Sequence, residues 1–232
     1  MFVIRIAEFN IGIENKYSYI YNMCRDYMID DAPEFIVEVT DTEILKESND
    51  QKLDKGYLES LAIYRKIAEI LIEYNTFLLH GAIIDVDGCG VGFLAKSGTG
   101  KTTHMLLWKE LLGENLTIIN GDKPLIKVGD KDVYAYGTPW CGKEKLNTNT
   151  KTYLKKICFI ERDLENSCKL LDKKAAFERL IKQTYIPRNR EKLVNIIELV
   201  FKLIDRAEFY VINCNTDISA AEIAFSEIIS KV

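Results

Sequence analysis

Short apolar runs, separated by polar and glycine-rich segments, recur along most of this chain. Alternating or continuous apolar residues predict strands at residues 2–7, 10–13, 34–39, 77–86, 91–95, 116–120, 125–128, 133–136, 156–161 and 208–214. Apolar residues at helical spacing predict helices at residues 57–73, 102–112, 173–183, 190–205 and 219–231. Residues 16–28 fit either a strand or a helix, and residues 42–52 fit a loop or a short helix. The pattern therefore predicts a fold that mixes α and β structure.

A phosphate-binding loop is predicted where the strand at residues 91–95 meets the helix at residues 102–112. Lys101 can reach the terminal phosphates of a nucleotide, and the Thr102 hydroxyl can ligate Mg²⁺. The N-terminus of the helix adds about half a positive charge at the same place. The predicted nucleotide-binding residues are Ser97, Gly98, Thr99, Gly100, Lys101, Thr102 and Thr103.

One position departs from the strict phosphate-binding pattern. Ala95 stands where G-x-x-x-x-G-K-[ST] has its first glycine. Alanine is a mild change at a strand end with ordinary φ, and Gly98 and Gly100 remain where the loop turns most tightly. The alternative interpretation is a glycine-rich surface turn before a helix. The strand before the loop and the helix after it favour phosphate binding.

The strand before this loop is predicted to be the second strand of a hairpin. Residues 77–86 and 91–95 flank the turn sequence Asp87-Gly88-Cys89-Gly90. In most nucleotide-binding P-loop folds the loop instead follows a parallel strand flanked by helices. We therefore predict an α/β (mixed α+β) fold with a mixed sheet. Residues 1–75 are predicted to form an N-terminal α+β subdomain packed on a catalytic domain at residues 76–232.

The composition argues against several classes of function. Hydrophobic residues make up 47% of the chain and charged residues 28%, which is typical of soluble globular proteins. The net charge of -4, without a dense lysine and arginine stripe, argues against nucleic acid as a partner. The cysteines are scattered without a C-x-x-C pair, which favours reduced thiols in the cytoplasm over a zinc site. No run of about 18 apolar residues occurs, so no membrane span is expected.

Three further motifs accompany the loop: H-G-A-I-I-D-V-D-G at residues 80–88, N-G-D-K-P at residues 120–124 and G-T-P-W-C-G-K-E at residues 137–144. With them, the chain resembles the catalytic domain of HPr kinase/phosphorylase, a P-loop fold related to phosphoenolpyruvate carboxykinase. It is more similar to the HPr-kinase-like proteins of Firmicutes, which include serine kinases encoded beside ribosomally made, modified peptides. The resemblance implies a kinase that uses ATP and Mg²⁺. Because HPr kinases oligomerise, a homo-oligomer is one of the states that the resemblance allows.

The chain departs from HPr kinases in two places. Residues 1–75 look different from the usual N-terminal domain of those enzymes. Gly121 stands where they have the first of two adjacent aspartates. HPr itself is therefore not the expected substrate, and the reverse phosphorolysis is not expected either.

Phosphoryl transfer to a hydroxyl needs clamped phosphates, a metal ion and a carboxylate that orients or deprotonates the nucleophile. Lys101 and the loop amides are the predicted clamp, and Thr102 is the predicted metal ligand. Asp122, at a strand end, is the predicted general base with a share in metal binding; the alternative is a turn aspartate without a catalytic role. His80 resembles the HPr kinase histidine that faces the phosphates; the alternative is a hydrogen-bonded core histidine.

The loop at residues 137–144 contains the candidates for the acceptor site. Trp140 offers an aromatic wall, while Lys143 and Glu144 offer charges of both signs. Lys143 can stabilise transferred charge, and Glu144 can supply a metal ligand. The alternative is a packed loop that Trp140 anchors.

Four other residues receive no catalytic role in this interpretation. His104 is predicted on the surface of its helix, and Cys141 is interpreted as a structural thiol. Tyr57 is assigned to the core or an interface. Arg162 is a candidate phosphate contact by its charge alone.

The predicted activity is transfer of the γ-phosphoryl group of ATP to a serine or threonine hydroxyl of a peptide or small protein. One alternative is a small-molecule kinase with a closed acceptor pocket; an open groove beside Asp122 counts against it. The other is a non-catalytic nucleotide sensor or binding partner, which Ala95 and the single acid at residues 121–122 favour. The sequence leaves open the acceptor, the donor nucleotide and the oligomeric state.

Overall fold

The N-terminal residues form a small sheet. A computed structural model describes residues 1–48 and 52–229. The first strands are β1 (Phe2–Ile6), β2 (Phe9–Glu14), β3 (Met28–Ile29) and β4 (Phe35–Glu38). They stand in the order β3-β1-β2-β4, with β1 antiparallel to β2 and β2 parallel to β4. The predicted N-terminal strand pair and the strand predicted at residues 34–39 are confirmed.

Three described helices complete the N-terminal part: α1 (Ser18–Met23), α2 (Asp41–Lys46) and α3 (Lys55–Leu71). The segment that fitted either a strand or a helix thus begins with α1. The segment predicted as a loop or short helix contains α2, and its residues 49–51 lie outside the described residues. α2 starts with a capping box, in which Thr40 and Glu43 each accept the other's backbone N–H.

A buried carboxylate holds α1 against α3. Glu59 of α3 is 0% exposed. It accepts the backbone N–H of Lys16 at 2.6 Å and that of Tyr17 at 3.1 Å, immediately before α1. These two charge-assisted hydrogen bonds compensate for removing the carboxylate from water. The start of α1 is thereby fixed on the side of α3.

Nine strands of the described chain form the second sheet. They are β5 (Thr76–Leu78), β6 (Ala82–Val86), β7 (Cys89–Leu94), β8 (Leu116–Asn120), β9 (Leu125–Val128), β10 (Val133–Tyr136), β11 (Lys151–Arg162), β12 (Ser167–Leu170) and β13 (Glu208–Cys214). Their order is β5-β9-β10-β11-β7-β6-β8, with β13 beside β11 and β12 beside β13. β7 is parallel to β11 and antiparallel to β6. The predicted mixed sheet and mixed α/β class are confirmed.

The single strand predicted at residues 77–86 is wrong, because the chain changes neighbours in its middle. β5 pairs with β9, whereas β6 pairs with β7 and β8. At the junction, the His80 N–H donates to the Gln183 carbonyl at 2.7 Å, and the Gly81 N–H donates to the Asp122 carbonyl at 2.8 Å. His80 therefore lies between two strands, where its side chain is half-buried.

Two pairs of helices pack on opposite faces of the larger sheet. α4 (Lys101–Leu112) and α7 (Ile218–Ile228) share a buried cluster with Ala82 and Ile84. α5 (Lys173–Leu180) and α6 (Arg190–Arg206) share another with Ile83. Because successive strand residues point to opposite faces, the two helix layers enclose the sheet between them.

The helices predicted after residue 170 are confirmed except at their ends. α5 stops at Leu180, and a 3₁₀ turn continues to Gln183. The last predicted helix is α7, and residues 230–231 of that prediction lie outside the described residues. Within residues 1–48 and 52–229, no helix combines the length and apolarity needed to cross a membrane.

The prediction that His104 lies on the helix surface is wrong. Its side chain belongs to the buried part of α4 and is 1% exposed. Its Nε2 accepts the Trp108 indole N–H at 3.1 Å, and its ring meets Phe93 edge-on. Burial lowers the pKa of His104 to about 4, so the ring is neutral at pH 7. The reason is that this side of α4 faces Phe93 of β7.

A third buried cluster joins the N-terminal sheet to the larger sheet. It contains residues of β1, β2 and α3 together with Leu125, Tyr136 and Trp140 from beyond residue 76. The apolar contacts of this cluster cross the predicted domain boundary between residues 75 and 76. The division into two domains therefore stays a prediction.

Replacement of Glu59 by alanine is expected to destabilise the protein by about 2 kcal/mol, because two partly buried N–H groups lose their acceptor. Urea denaturation at pH 7 measures this loss. Glu59→Gln retains one acceptor oxygen and should cost less. An alanine variant as stable as the wild type would contradict the role of this carboxylate.

Candidate active site

The loop between β7 and α4 turns through two glycines with positive φ, 78° at Gly98 and 124° at Gly100. Other residues are strained in this region of backbone conformation. Gly100 is also the N-cap of α4 and has no side chain to cap the first N–H groups, which leaves them open to an anion. The loop borders a cleft of about 830 Å³. The predicted phosphate-binding residues in its lining are Ser97, Gly98, Gly100, Lys101, Thr102 and Thr103.

Lys101, His80 and Asp122 form a connected cluster in this cleft. The Lys101 Nζ lies 3.1 Å from the His80 Nε2 and donates to the Ala95 carbonyl at 3.1 Å. The same Nε2 lies 3.2 Å from the Asp122 Oδ1. Burial lowers the pKa of the Lys101 ammonium from its usual value. Three segments that are distant in sequence thus meet within hydrogen-bond distance.

The His80 Nε2 cannot satisfy both of its neighbours at once. If Nε2 carries a proton, it donates to Asp122 and presents a donor to the Lys101 ammonium. If Nε2 is unprotonated, it accepts from Lys101 and presents a lone pair to a carboxylate. A phosphate that accepts from Lys101 removes this conflict. The cluster is therefore suited to receive an anion at the loop.

The Asp122 carboxylate has a partner on each oxygen. His80 contacts Oδ1, and the Lys123 Nζ donates to Oδ2 at 2.5 Å. Burial raises the pKa of Asp122, but the hydrogen bond from His80 and the charge of Lys123 outweigh burial, so this pKa lies below its usual value. Asp122 is therefore ionised at neutral pH, as a base or a metal ligand must be.

The backbone beneath this carboxylate is held by Asn120, which is 0% exposed. Its Oδ1 accepts the N–H groups of Asp122 at 2.9 Å and Lys123 at 2.7 Å. Its Nδ2 donates to the carbonyl and hydroxyl oxygens of Thr138, at 3.0 and 3.1 Å. The Asp122 carbonyl in turn accepts the Gly81 N–H. Hydrogen bonds that involve Asn120, Thr138 and Gly81 therefore fix the backbone at the C-terminal end of β8.

Gly121 has no room for a second acid. A Cβ at this position would lie 2.9 Å from the Cys141 carbonyl oxygen and 3.2 Å from that of Leu146. The Gly121 N–H also donates to the Leu146 carbonyl at 2.8 Å. The loop after residue 137 thus packs directly on Gly121. This packing is the physical reason why only one carboxylate follows β8.

The loop at residues 137–144 divides into an anchored half and an exposed half. Trp140 is 5% exposed, stacks on Tyr64 with the ring centres 4.0 Å apart, and donates to the Ser60 carbonyl at 3.0 Å. Lys143 and Glu144 are exposed and line the cleft. Trp140 also borders the cleft, but its ring is held by α3. Burial raises the pKa of the Cys141 thiol, which fits the structural interpretation.

Arg162 holds the loop from its carbonyl side. The end of β11 lies beside the end of its parallel neighbour β7. From there, the Arg162 Nε donates to the Thr99 carbonyl at 2.9 Å, and Nη2 donates to the Gly98 carbonyl at 2.5 Å. Thr99, the one predicted loop residue outside the cleft lining, thus has a structural contact. With its carbonyls held by Arg162, the loop can turn its N–H groups towards a ligand.

The N-terminal part supplies one wall of the same cleft. Tyr19 and Met23 come from α1, and Tyr57, Ser60 and Leu61 come from α3. The rings of Tyr19 and Tyr57 meet edge-on at 5.9 Å, and both side chains remain more than one-third exposed. The cleft therefore has a polar side, which contains the predicted phosphate-binding residues, and an aromatic side that opens to solvent.

The sequence patterns found the loop, Lys101, His80, Asp122, Lys143 and Glu144, which the fold brings to one cleft. Their catalytic and metal-binding roles stay predictions. The patterns missed Lys123 and Tyr19. They named Arg162 as a candidate phosphate contact, whereas the structure shows it donating to two loop carbonyls. The ends of parallel strands meet at one edge of a sheet. The position of Arg162 at the end of β11 was therefore a signal that it lies beside the loop that follows β7. Tyr19 gave no such indication, because its segment fitted two secondary structures.

Arg162→Ala is expected to weaken binding of inorganic tripolyphosphate about tenfold, because two loop carbonyls lose their donor. Isothermal titration calorimetry measures the change. Arg206→Ala is the matched control, since Arg206 contacts the carbonyls of Gly129 and Asp130 in the same way. Equal losses in both variants would show that only net charge matters.

Comparison with known proteins gives a distant structural likeness. No protein-family model and no curated protein match the chain. Among solved structures, the chain is similar to the Hpr(Ser) kinase/phosphatase from Coxiella burnetii, with 11% sequence identity and a TM-score of 0.30. The similarity covers 54% of this chain and 89% of that one. A TM-score this low does not establish a shared fold, so the resemblance to HPr kinases stays a prediction.

Proposed function

We propose that this protein is an ATP- and Mg²⁺-dependent kinase that transfers the γ-phosphoryl group to a serine or threonine hydroxyl of a peptide or small protein. The observation that carries the proposal is the shared cleft. An anion-binding loop at a helix N-terminus, Lys101 and an ionised Asp122 line the same space. Phosphoryl transfer requires little more than this positioning and charge.

Each residue of the cluster has a task in the proposed reaction. The N–H groups of the loop and the Lys101 ammonium hold the β- and γ-phosphates. The acceptor oxygen bonds to the γ-phosphorus, the bond from that phosphorus to the β-γ bridging oxygen breaks, and ADP leaves with the electron pair. Asp122 takes the proton of the acceptor hydroxyl, and His80 holds the other carboxylate oxygen in place.

The oxygen donors of the cleft fit Mg²⁺. The Thr102 hydroxyl and the Asp122 carboxylate are hard ligands of the kind that this ion prefers. Within the described residues, no group of three or more histidine, cysteine or acidic side chains can hold a metal by itself. The ion would therefore bind mainly through phosphate oxygens and water, as Mg²⁺ commonly does. When bound, it would neutralise charge on the phosphates.

The acceptor is proposed to approach along the wall formed by Tyr19, Tyr57 and Leu61. In an in-line transfer the acceptor enters opposite the leaving ADP, on the side of the base. The loop that ends this wall touches Asp122, since a Cβ on Gly142 would lie 3.3 Å from the Asp122 Cβ. The exposed rings of Tyr19 and Tyr57 suit an extended peptide better than a sealed metabolite pocket.

The transfer is tested with γ-labelled ATP, Mg²⁺ and a panel of serine- and threonine-containing peptides, with free serine and threonine in parallel. Label on a peptide hydroxyl is expected from the wild type. Asp122→Asn should lower the rate by about 10²-fold or more, because the base is lost. Lys101→Met should lower the affinity for ATP as well as the rate.

The outcomes separate the alternatives left by the sequence. Label on the free amino acids alone would favour a small-molecule kinase. ATP binding without transfer to any acceptor and without hydrolysis would favour a nucleotide sensor. Transfer that is unchanged in Asp122→Asn would remove this carboxylate from the mechanism.

Tyr19→Ala is expected to raise the KM for the best peptide of the panel about tenfold and to leave the KM for ATP unchanged, because it removes an aromatic contact on the acceptor side. Tyr21→Ala is the matched control. Tyr21 lies on the same helix and is 44% exposed, against 42% for Tyr19, but it packs on Phe2. Equal effects in the two variants would count against this acceptor path.

A further inference from the structure

We infer that Lys123 is a second phosphate-binding residue, which contacts the γ-phosphate of a bound nucleoside triphosphate together with Lys101. The inference rests on the proposed function and adds a residue to its site. Nothing in the phosphate-binding motif assigns Lys123, which lies more than twenty residues after the loop and reaches the cleft through the end of β8.

The backbone of Lys123 is fixed by several hydrogen bonds, whereas its ammonium has one ion pair, with Asp122. Its N–H donates to the Asn120 Oδ1 at 2.7 Å. Its carbonyl accepts from the Tyr64 hydroxyl at 2.6 Å and from the Thr138 hydroxyl at 2.9 Å. The side chain is 33% exposed and ends in the cleft. A flexible stem on a rigid base can therefore carry its ammonium from one partner in the cleft to another.

The charges around Lys123 favour an anion as that second partner. The cleft is lined by five basic and two acidic side chains, a formal excess of three positive charges. The basic residues are Lys101, Lys123, Lys143, Lys145 and Arg162, and the acidic ones are Asp122 and Glu144. Asp122 pairs directly with Lys123 and is joined to Lys101 only through His80, and one carboxylate cannot neutralise both ammonium groups. A polyphosphate supplies the missing negative charge.

The packing at Gly121 strengthens this argument. A second carboxylate there would add negative charge and draw metal ions, but a Cβ would collide with the Cys141 carbonyl. The chain instead follows Asp122 with a cation. The end of β8 therefore presents one acid and one base, a pair that can hold a phosphate and a hydroxyl side by side.

Movement of Lys123 to a phosphate would also expose the proposed base. His80 contacts the Asp122 Oδ1, and Lys123 contacts Oδ2, so both oxygens have partners. An acceptor hydroxyl needs one of these oxygens to deliver its proton. When the Lys123 ammonium binds the γ-phosphate, Oδ2 becomes accessible to that hydroxyl. Lys123 would thus couple binding of the triphosphate to exposure of the Asp122 Oδ2.

The test compares ATP with ADP, each with Mg²⁺, by isothermal titration calorimetry on the full chain. Lys123→Met is expected to raise the Kd for ATP about tenfold or more and the Kd for ADP less than about twofold, because ADP lacks the γ-phosphate. Lys123→Arg keeps the charge and should retain most of the preference for ATP. Circular dichroism checks that the variants are folded; if Lys123→Met is not, Lys123→Gln replaces it.

Lys127→Met is the matched control. Lys127 also forms an ion pair, at 2.7 Å from Glu8, and its side chain is 27% exposed, but it lies outside the cleft. Equal weakening of ATP and ADP, no weakening of either, or the same loss in the control would overturn the role of Lys123. Failure of the wild type to bind ATP would instead overturn the proposed function itself.

Discussion

The site depends on the buried amide of Asn120. A fully buried amide must find partners for its oxygen and its NH₂ group, and Asn120 finds them in the backbone of residues 122–123 and in Thr138. These hydrogen bonds fix where β8 ends and where the loop after β10 begins. Asp122 is therefore presented at one place and one angle. Group-transfer reactions need a reacting group in a fixed position, because a small displacement of that group lowers the rate strongly.

Around that fixed point, the side chains are left with competing partners. His80 faces both a lysine and a carboxylate, and Asp122 has a partner on each oxygen. The backbone is held rigidly, while these side chains have alternative partners. A charged ligand can therefore rearrange the side chains without disturbing the backbone. The contacts of Arg162 also belong to this fixed framework, since they hold the carbonyl groups of Gly98 and Thr99 on one side of the loop.

The N-terminal part completes the cleft, although its sequence shows no motif of its own. α3 carries Tyr64, which stacks on Trp140, and Tyr57, which borders the cleft. Glu59, between them on the same helix, fixes the start of α1 and with it the position of Tyr19. One helix thus connects the larger sheet to the aromatic wall of the cleft. The exposed aromatic residues on this wall are where specificity for an acceptor would reside.

The sequence by itself determined the glycine-rich loop before α4, most strands and helices, and the choice of Lys101 and Asp122 as candidates, because these follow from local spacing and from glycines at positions of positive φ. It misplaced His104 and ran β5 and β6 together, because burial and strand partners depend on elements far along the chain. Only the tertiary structure decided that Arg162 would hold the loop, that Lys123 would meet Asp122, and that the position of Gly121 would exclude an acid. Each of these is a contact between segments that local patterns treat as independent, and packing alone brings such segments together.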